Sequence, residues 1–308
     1  MTQKEESRLD IIKSILKLHF KAVGKADRKR IDSQTPTPGI RQITDLPYIH
    51  DGEKGHLLDI YYPEGTTGKL PVIFDIHGGG WMYGYKEINK YYCLKLASKG
   101  FLVASLNYRL VDDVLFPDQV RDVFAALLWL SENLSDYPAD LDNVFLTGDS
   151  AGGHLACVTA AVSLNKNFQD DFNVRPASFS FNAVGVVSPG VDLGSNPIVK
   201  VMKKVLLGKS GQNVVFEKYL RIGLIADSSL PPFFIITSSG DFIRQQSYVL
   251  RDTLNKFGVR NTLSDHTETL NGKKLQHVFS VTDPYSGPGE KAVCELTDFF
   301  KSQIRIKA

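Results

Sequence analysis

The stretch Leu146-Thr147-Gly148-Asp149-Ser150-Ala151-Gly152-Gly153-His154-Leu155-Ala156 closes one apolar run and opens another. The run before it, NVFLT, is rich in β-branched and aromatic residues and reads as a strand. The residues after it read as a helix that begins near Ala151. Gly148-Asp149-Ser150-Ala151-Gly152 fits G-x-S-x-G, which at a strand-to-helix turn lifts a serine hydroxyl clear of a sheet. Small neighbours are needed because the backbone passes close to itself there. The N–H of Ala151 then sits at a helix N-terminus, where it can donate to a developing oxyanion. Taken alone, the pattern also fits an ordinary Gly/Ser turn.

The rest of the chain repeats the strand–helix rhythm. Apolar, β-rich runs lie at 57–62, 71–77, 101–108, 143–148, 182–188, 232–239 and 261–266, with a weaker one near Ile43. Helical stretches separate most of them, and two of these end at Gly100 and Gly258, where glycine can take the left-handed conformation that closes a helix. Such alternation predicts an α/β fold with a mostly parallel, eight-stranded sheet covered by helices on both faces. Two segments stand outside the rhythm. Leu9, Ile12, Leu16, Phe20 and Val23 recur at helical spacing before the Pro/Gly-rich linker 32–39. Residues 192–230 are longer than a simple crossover requires and read as two short helices around Gly208–Gly211. The expected division is an N-terminal cap segment 1–42, core 43–191, cap insertion 192–230 and core 231–308.

Composition narrows the function classes. The chain has 308 residues, 43% hydrophobic and 23% charged, with a formal net charge of +2. A packed core is expected, and the near balance of charge gives no reason to expect nucleic acid. Cys93, Cys157 and Cys294 are odd in number and widely spaced, which fits neither a disulfide framework nor a zinc site. The N-terminal residues lack the basic and apolar regions of a secretion signal, and no window approaches a membrane span. The expectation is a cytoplasmic protein without stable membrane insertion, and a homodimer is left open.

A second motif supports the elbow. Strand PVIFDI runs into His77-Gly78-Gly79-Gly80-Trp81, where consecutive glycines free backbone N–H groups to point into a site. A side chain at Gly79 or Gly80 would crowd a substrate carbonyl there. A nucleophilic serine needs a base, and the base needs an orienting carboxylate. Asp241 ends a predicted strand, at the sheet edge where sites in parallel sheets form. It could equally cap the following helix. His266 and His277 lie downstream, and His277 is preferred because it falls in a loop whereas His266 lies within a strand. His77 and His154 are assigned structural roles, and His19, His50 and His56 come too early in the chain. Trp81 and Tyr83 are expected to border the substrate. No metal-binding spacing and no G-x-G-x-x-G after the first strand are present, so neither metal nor nucleotide cofactor is expected.

HGGGW at 77–81, Tyr108-Arg109-Leu110, Phe116-Pro117, GDSAGG at 148–153, Asp241 and His277-Val278-Phe279 together resemble the hormone-sensitive-lipase-like branch of α/β-hydrolase esterases. The resemblance spans about two thirds of the chain, and HGGG with GDSAGG is a specific pair. It implies an α/β-hydrolase fold with a two-part cap. It also implies Ser150 as nucleophile, His277 as base, Asp241 as its partner, and an oxyanion hole from Gly79, Gly80 and Ala151. The expected activity is hydrolysis of small, short-acyl esters without a cofactor. Amide or formamide hydrolysis, or carbohydrate deacetylation, would use the same groups. A non-catalytic receptor on a hydrolase scaffold is the remaining reading, and the intact nucleophile and base speak against it.

Overall fold

Eight strands build one sheet: β1 (Ile40–Pro47), β2 (Leu57–Pro63), β3 (Leu70–Ile76), β4 (Leu102–Leu106), β5 (Ala139–Asp149), β6 (Phe181–Val187), β7 (Phe233–Ser238) and β8 (Asn261–His266). Their order across the sheet is β1-β2-β4-β3-β5-β6-β7-β8. β2 runs antiparallel to β1 and β4, and every other pairing is parallel. The computed structural model describes residues 3–111, 113–193, 197–208 and 213–306. The sheet is the expected mostly parallel one of the α/β-hydrolase fold.

Helices α1 (Gln3–Ser33), α2 (Lys90–Ala97), α3 (Phe116–Asn133), α4 (Ser150–Leu164), α5 (Lys166–Phe172), α6 (Pro197–Leu207), α7 (Arg244–Lys256), α8 (Phe279–Thr282) and α9 (Gly287–Ser302) flank it. Side chains alternate along each strand, so the central strands must be apolar on both faces. Val72, Phe74 and Ile76 of β3 join a core with α3, α4 and α7, through residues such as Val120, Leu155 and Leu250. Ile73, between them, joins the opposite core with α2 and α9, through Leu94, Leu296 and Phe300. This two-sided burial explains why the central strands read as continuous apolar runs. The closing glycines behave as expected, with Gly100 at φ 93° and Gly258 at φ 70°.

Three local features depart from expectation. The N-terminal helix runs to Ser33, deeper into the linker than its apolar repeat indicated. A small hairpin pairs Thr269–Leu270 with Lys273–Lys274 around Asn271 and Gly272, both at positive φ. An Asn-Gly pair favours this turn because both residues tolerate the left-handed region. In the 192–230 segment, α6 is followed by 3₁₀ turns at Val214–Leu220 and Ile222–Leu224. Part of the expected Gly208–Gly211 break, and residues 194–196, lie outside the described residues. Among the described residues, no helix is long and apolar enough to cross a membrane.

Candidate active site

Strand β5 ends at Asp149, and Ser150 opens α4 at φ 50°. The turn is tight on every side. A Cβ on Gly152 would run into the carbonyl oxygens of Ile76 and His77, and one on Gly153 would lie 2.9 Å from the Pro189 side chain. Only glycine fits at these two positions, which accounts for GDSAGG physically.

Loops from three other strand ends converge on this serine. His277 Nε2 lies 3.0 Å from Ser150 Oγ, and His277 Nδ1 lies 2.7 Å from Asp241 Oδ1. A carboxylate only accepts, so Nδ1 carries the proton and Nε2 is left to accept from the serine hydroxyl. Asp241 Oδ1 also accepts from the Ile243 N–H at 2.9 Å, and Oδ2 from the Thr237 hydroxyl at 3.1 Å. Burial alone would raise this carboxyl, but the hydrogen bond and charge of His277, with Ser188 and the Ile243 N–H, hold it below its ordinary range. Asp241 therefore stays ionised and fixes the imidazole.

The loop expected to supply an oxyanion hole follows β3. Gly79 at φ 116° and Gly80 at φ 59° occupy backbone conformations that favour glycine. A Cβ on Gly79 would strike the Tyr83 carbonyl, whereas one on Gly80 would lie 2.6 Å from the Phe20 ring of α1. Both glycines line a cavity of about 320 Å³ together with Ser150, His277 and Tyr83. Ala151 is buried in the first turn of α4, where its N–H has no helical partner to donate to. Four non-glycine residues at positive φ surround the site: Trp81, Ser150, Ser188 and Val278. Each such residue costs about 1–3 kcal/mol, strain that the surrounding packing must hold.

The structure thus brings Ser150, His277, Gly79, Gly80 and Tyr83 around one cavity, with Asp241 hydrogen-bonded behind His277. It does not bring Trp81 there. The indole is buried and packs edge-on against His154, with centroids 5.4 Å apart, because Trp81 turns inward after the glycine triplet. His266 is also apart, held between Glu268 at 2.9 Å and Ser264 at 3.0 Å. His77 stacks on Tyr108 and His154 bonds the Tyr219 carbonyl, and burial lowers both to about 4, so both are neutral supports.

Two sets of residues at the site were not foreseen. The first is the inner face of α1, where Phe20, Val23 and Arg30 line the cavity. The Arg30 guanidinium donates to the Ile88 carbonyl at 2.9 Å and to Asp27 at 3.1 Å, tying this helix to the core. The second lies beneath the glycine loop at 78–80. Asp149 Oδ1 accepts from the Gly78 N–H and from Asn89 Nδ2, both at 2.9 Å, and Asn89 Nδ2 also reaches Asp75 at 3.2 Å. Asp75 interrupts the apolar run PVIFDI, a signal that was available in the sequence.

Asp75 is wholly buried, and burial together with the Asp149 charge pushes its carboxyl up to about 7. In the unfolded chain it would titrate near the ordinary value of about 3.9. Between those two pH values the native state holds a proton that the unfolded state has lost, so this group lowers stability as pH rises through the window. Asp75→Asn keeps an acceptor for Asn89 and Ser105 and removes the charge. It should raise Tm by a few degrees at about pH 8 and change it little at about pH 5, as read by calorimetry. An equal shift at both pH values would show that Asp75 does not titrate in this range.

Comparisons with known proteins bear on the family and the fold. The BD-FAE family model matches residues 58–254. A probable carboxylic ester hydrolase of Mycobacterium tuberculosis, LipM, is 30% identical over 223 residues, covering 67% of this chain and 52% of LipM. The chain thus spans about half the length of that relative. A putative alpha/beta hydrolase of Acanthamoeba polyphaga mimivirus, R526, is 29% identical over 87% of this chain and 78% of its own. Esterase B from Lactobacillus rhamnosis, in a crystal structure with a C4-C4 tributyrin phosphonate, superposes with a TM-score of 0.90 at 29% identity, over 96% of both chains. The family match covers more than half of the sequence and the fold is shared with esterase B, so the protein belongs to the BD-FAE family and has the α/β-hydrolase fold.

Proposed function

We propose that the protein is a serine carboxylesterase that hydrolyses small, short-acyl esters through Ser150, His277 and Asp241. The observation that carries this reading is the unbroken chain of hydrogen bonds from Asp241 through His277 to the Ser150 hydroxyl. In the reaction, Ser150 Oγ attacks the ester carbonyl while His277 Nε2 takes its proton. The N–H groups of Gly79, Gly80 and Ala151 receive the negative charge that forms on the carbonyl oxygen. The tetrahedral species collapses as His277 returns the proton to the leaving alkoxide, which departs as the alcohol. A water molecule, deprotonated by the same imidazole, then releases the acid from the acyl-serine.

The acyl preference follows from the walls. Phe20, Val23, Tyr83, Phe242, Val278 and Val281 line a cavity of about 320 Å³, small for a long chain. In this reading α1 and the 192–230 segment act as the cap, and Phe20 closes the cavity over Gly80. The tributyrin phosphonate of esterase B is consistent with such a pocket.

The test is kcat/KM across p-nitrophenyl esters of increasing acyl length, with the matching anilides alongside. The expected optimum lies at short acyl groups, and anilides should be slower by at least about 10²-fold. Phe20→Ala should move the optimum to longer chains. A wild-type optimum at long chains would overturn the acyl assignment, and anilides faster than esters would overturn the esterase reading.

A further inference from the structure

A second groove runs along the flank of α1 where the helix meets Met82 and Tyr83, with a volume of about 890 Å³. Its rim carries Lys17, Lys21, Lys25, Arg28 and Lys29, and its floor is Phe20, Met82 and Tyr83. Spacings of three and four residues place these cations on one stripe of the helix. Gly24, in the middle of the stripe, has no side chain to hold the helix off, and a Cβ there would lie 3.2 Å from the Tyr83 ring. Phe20 and Tyr83 stack at 5.7 Å and border both this groove and the catalytic cavity. The two spaces therefore adjoin across a single aromatic pair.

The charge is concentrated there. Residues 11–33 hold seven Lys or Arg against two Asp, in a chain whose net charge is +2, so the remainder is net negative. Asp27 faces the catalytic cavity and is already bound by Arg30 and the Tyr83 hydroxyl. Asp32 is the only carboxylate on the groove, at its far end. Lys21, Lys25, Arg28 and Lys29 make no ion pair among the described residues. Asp32 stands three and four residues from Lys29 and Arg28, but no carboxylate stands at either spacing from Lys21 or Lys25, so no helical neighbour offsets the cost of like charges there. An anionic occupant would.

We infer that the preferred esters carry a negatively charged group, remote from the scissile bond, that lies along the basic stripe of α1 while the ester sits at Ser150. This rests on the esterase reading above and adds a substrate class to it. An apolar stem fits the Phe20–Tyr83 floor, and a carboxylate or phosphate fits the rim. The anion could belong to a soluble ester or to a lipid headgroup.

The test compares p-nitrophenyl half-esters of dicarboxylic acids with neutral p-nitrophenyl esters of equal acyl length. At some length the wild-type kcat/KM should favour the anionic ester by about tenfold, and high salt should erase the preference. The double variant K21E/K25E should reduce the anionic-to-neutral ratio by about tenfold or more. A ratio at or below unity at every length, or one that the variant leaves unchanged, overturns the inference while the esterase reading stands. If neither ester is hydrolysed, that reading fails. The groove is then judged by calorimetry with decyl phosphate, which should bind the wild type and not the variant, and equal binding to both overturns it. Sedimentation with phosphatidylserine or phosphatidylcholine vesicles separates the sources. Capture by phosphatidylserine alone, lost in the variant, assigns a lipid headgroup, and no capture alongside a retained half-ester preference assigns a soluble ester.

Discussion

Ser150→Ala will leave a folded protein whose ester hydrolysis is slower by about 10⁴-fold or more in kcat. The substitution removes one atom, Oγ, which in the proposed mechanism forms the bond to the substrate. The residue that replaces it adds no volume at a turn where Gly148, Gly152 and Gly153 have no room to move. Ser150 already sits at φ 50° as a non-glycine residue, so alanine inherits the same strain. Its Tm should therefore stay within about 2 °C of the parent, because among the described residues the hydroxyl's one hydrogen bond is the part-buried one to His277. An organophosphate should add its mass to the wild-type peptide that contains Ser150 and leave the variant unlabelled. A variant with near-parental turnover, or labelling that persists after the substitution, would remove Ser150 from the chemistry.

Much of this architecture was legible because strands and elbow obey local rules. Each expected strand lies within a few residues of an observed one, since a sheet buried on both faces demands continuous apolar runs bounded by turn residues. GDSAGG and HGGG were legible for a related reason: backbone that must pass within contact distance of other backbone admits only the smallest residues. What escaped the sequence is tertiary. That Phe20 would lie over Gly80 depends on how α1 crosses the sheet edge, and spacing along one helix says which face is apolar but not what it covers. Trp81 illustrates the same limit. It adjoins Gly79 and Gly80 in sequence, yet its positive φ turns the indole into the core beside His154. Asn89 had no local signal at all, because its partners Asp75 and Asp149 come from two different strands. Its role emerges only when the end of β3 meets the end of β5.

His277→Ala should cost about as much turnover as Ser150→Ala, and the double variant should cost little more than either, because the members of a triad act as a unit. The comparison that matters is with His266, the other histidine that follows Asp241 in the chain. Both rings carry a carboxylate on Nδ1 and a serine hydroxyl on Nε2: Asp241 and Ser150 for His277, Glu268 and Ser264 for His266. Pairwise geometry therefore does not separate them, and their surroundings do. His266 is buried, Glu295 lies on the same ring nitrogen as Ser264 at 3.3 Å, and the Ser264 hydroxyl donates to Glu295 at 2.6 Å. Ser264 also sits within strand β8, with no strained turn to present its oxygen. His277 instead follows the hairpin, opens onto the cavity lined by Ser150, Gly79 and Gly80, and carries the exposed Phe242 ring at 4.5 Å. Burial would raise Glu268, but its hydrogen bond to His266 outweighs that and holds it at about 2, so the pair is a structural tie between β8 and the residues after it. Accordingly His266→Ala should lower Tm by several degrees and keep most of the parental kcat. The reverse pattern, an inactive His266→Ala beside a competent His277→Ala, would move the base to β8 and dissolve the assignment of Asp241 with it.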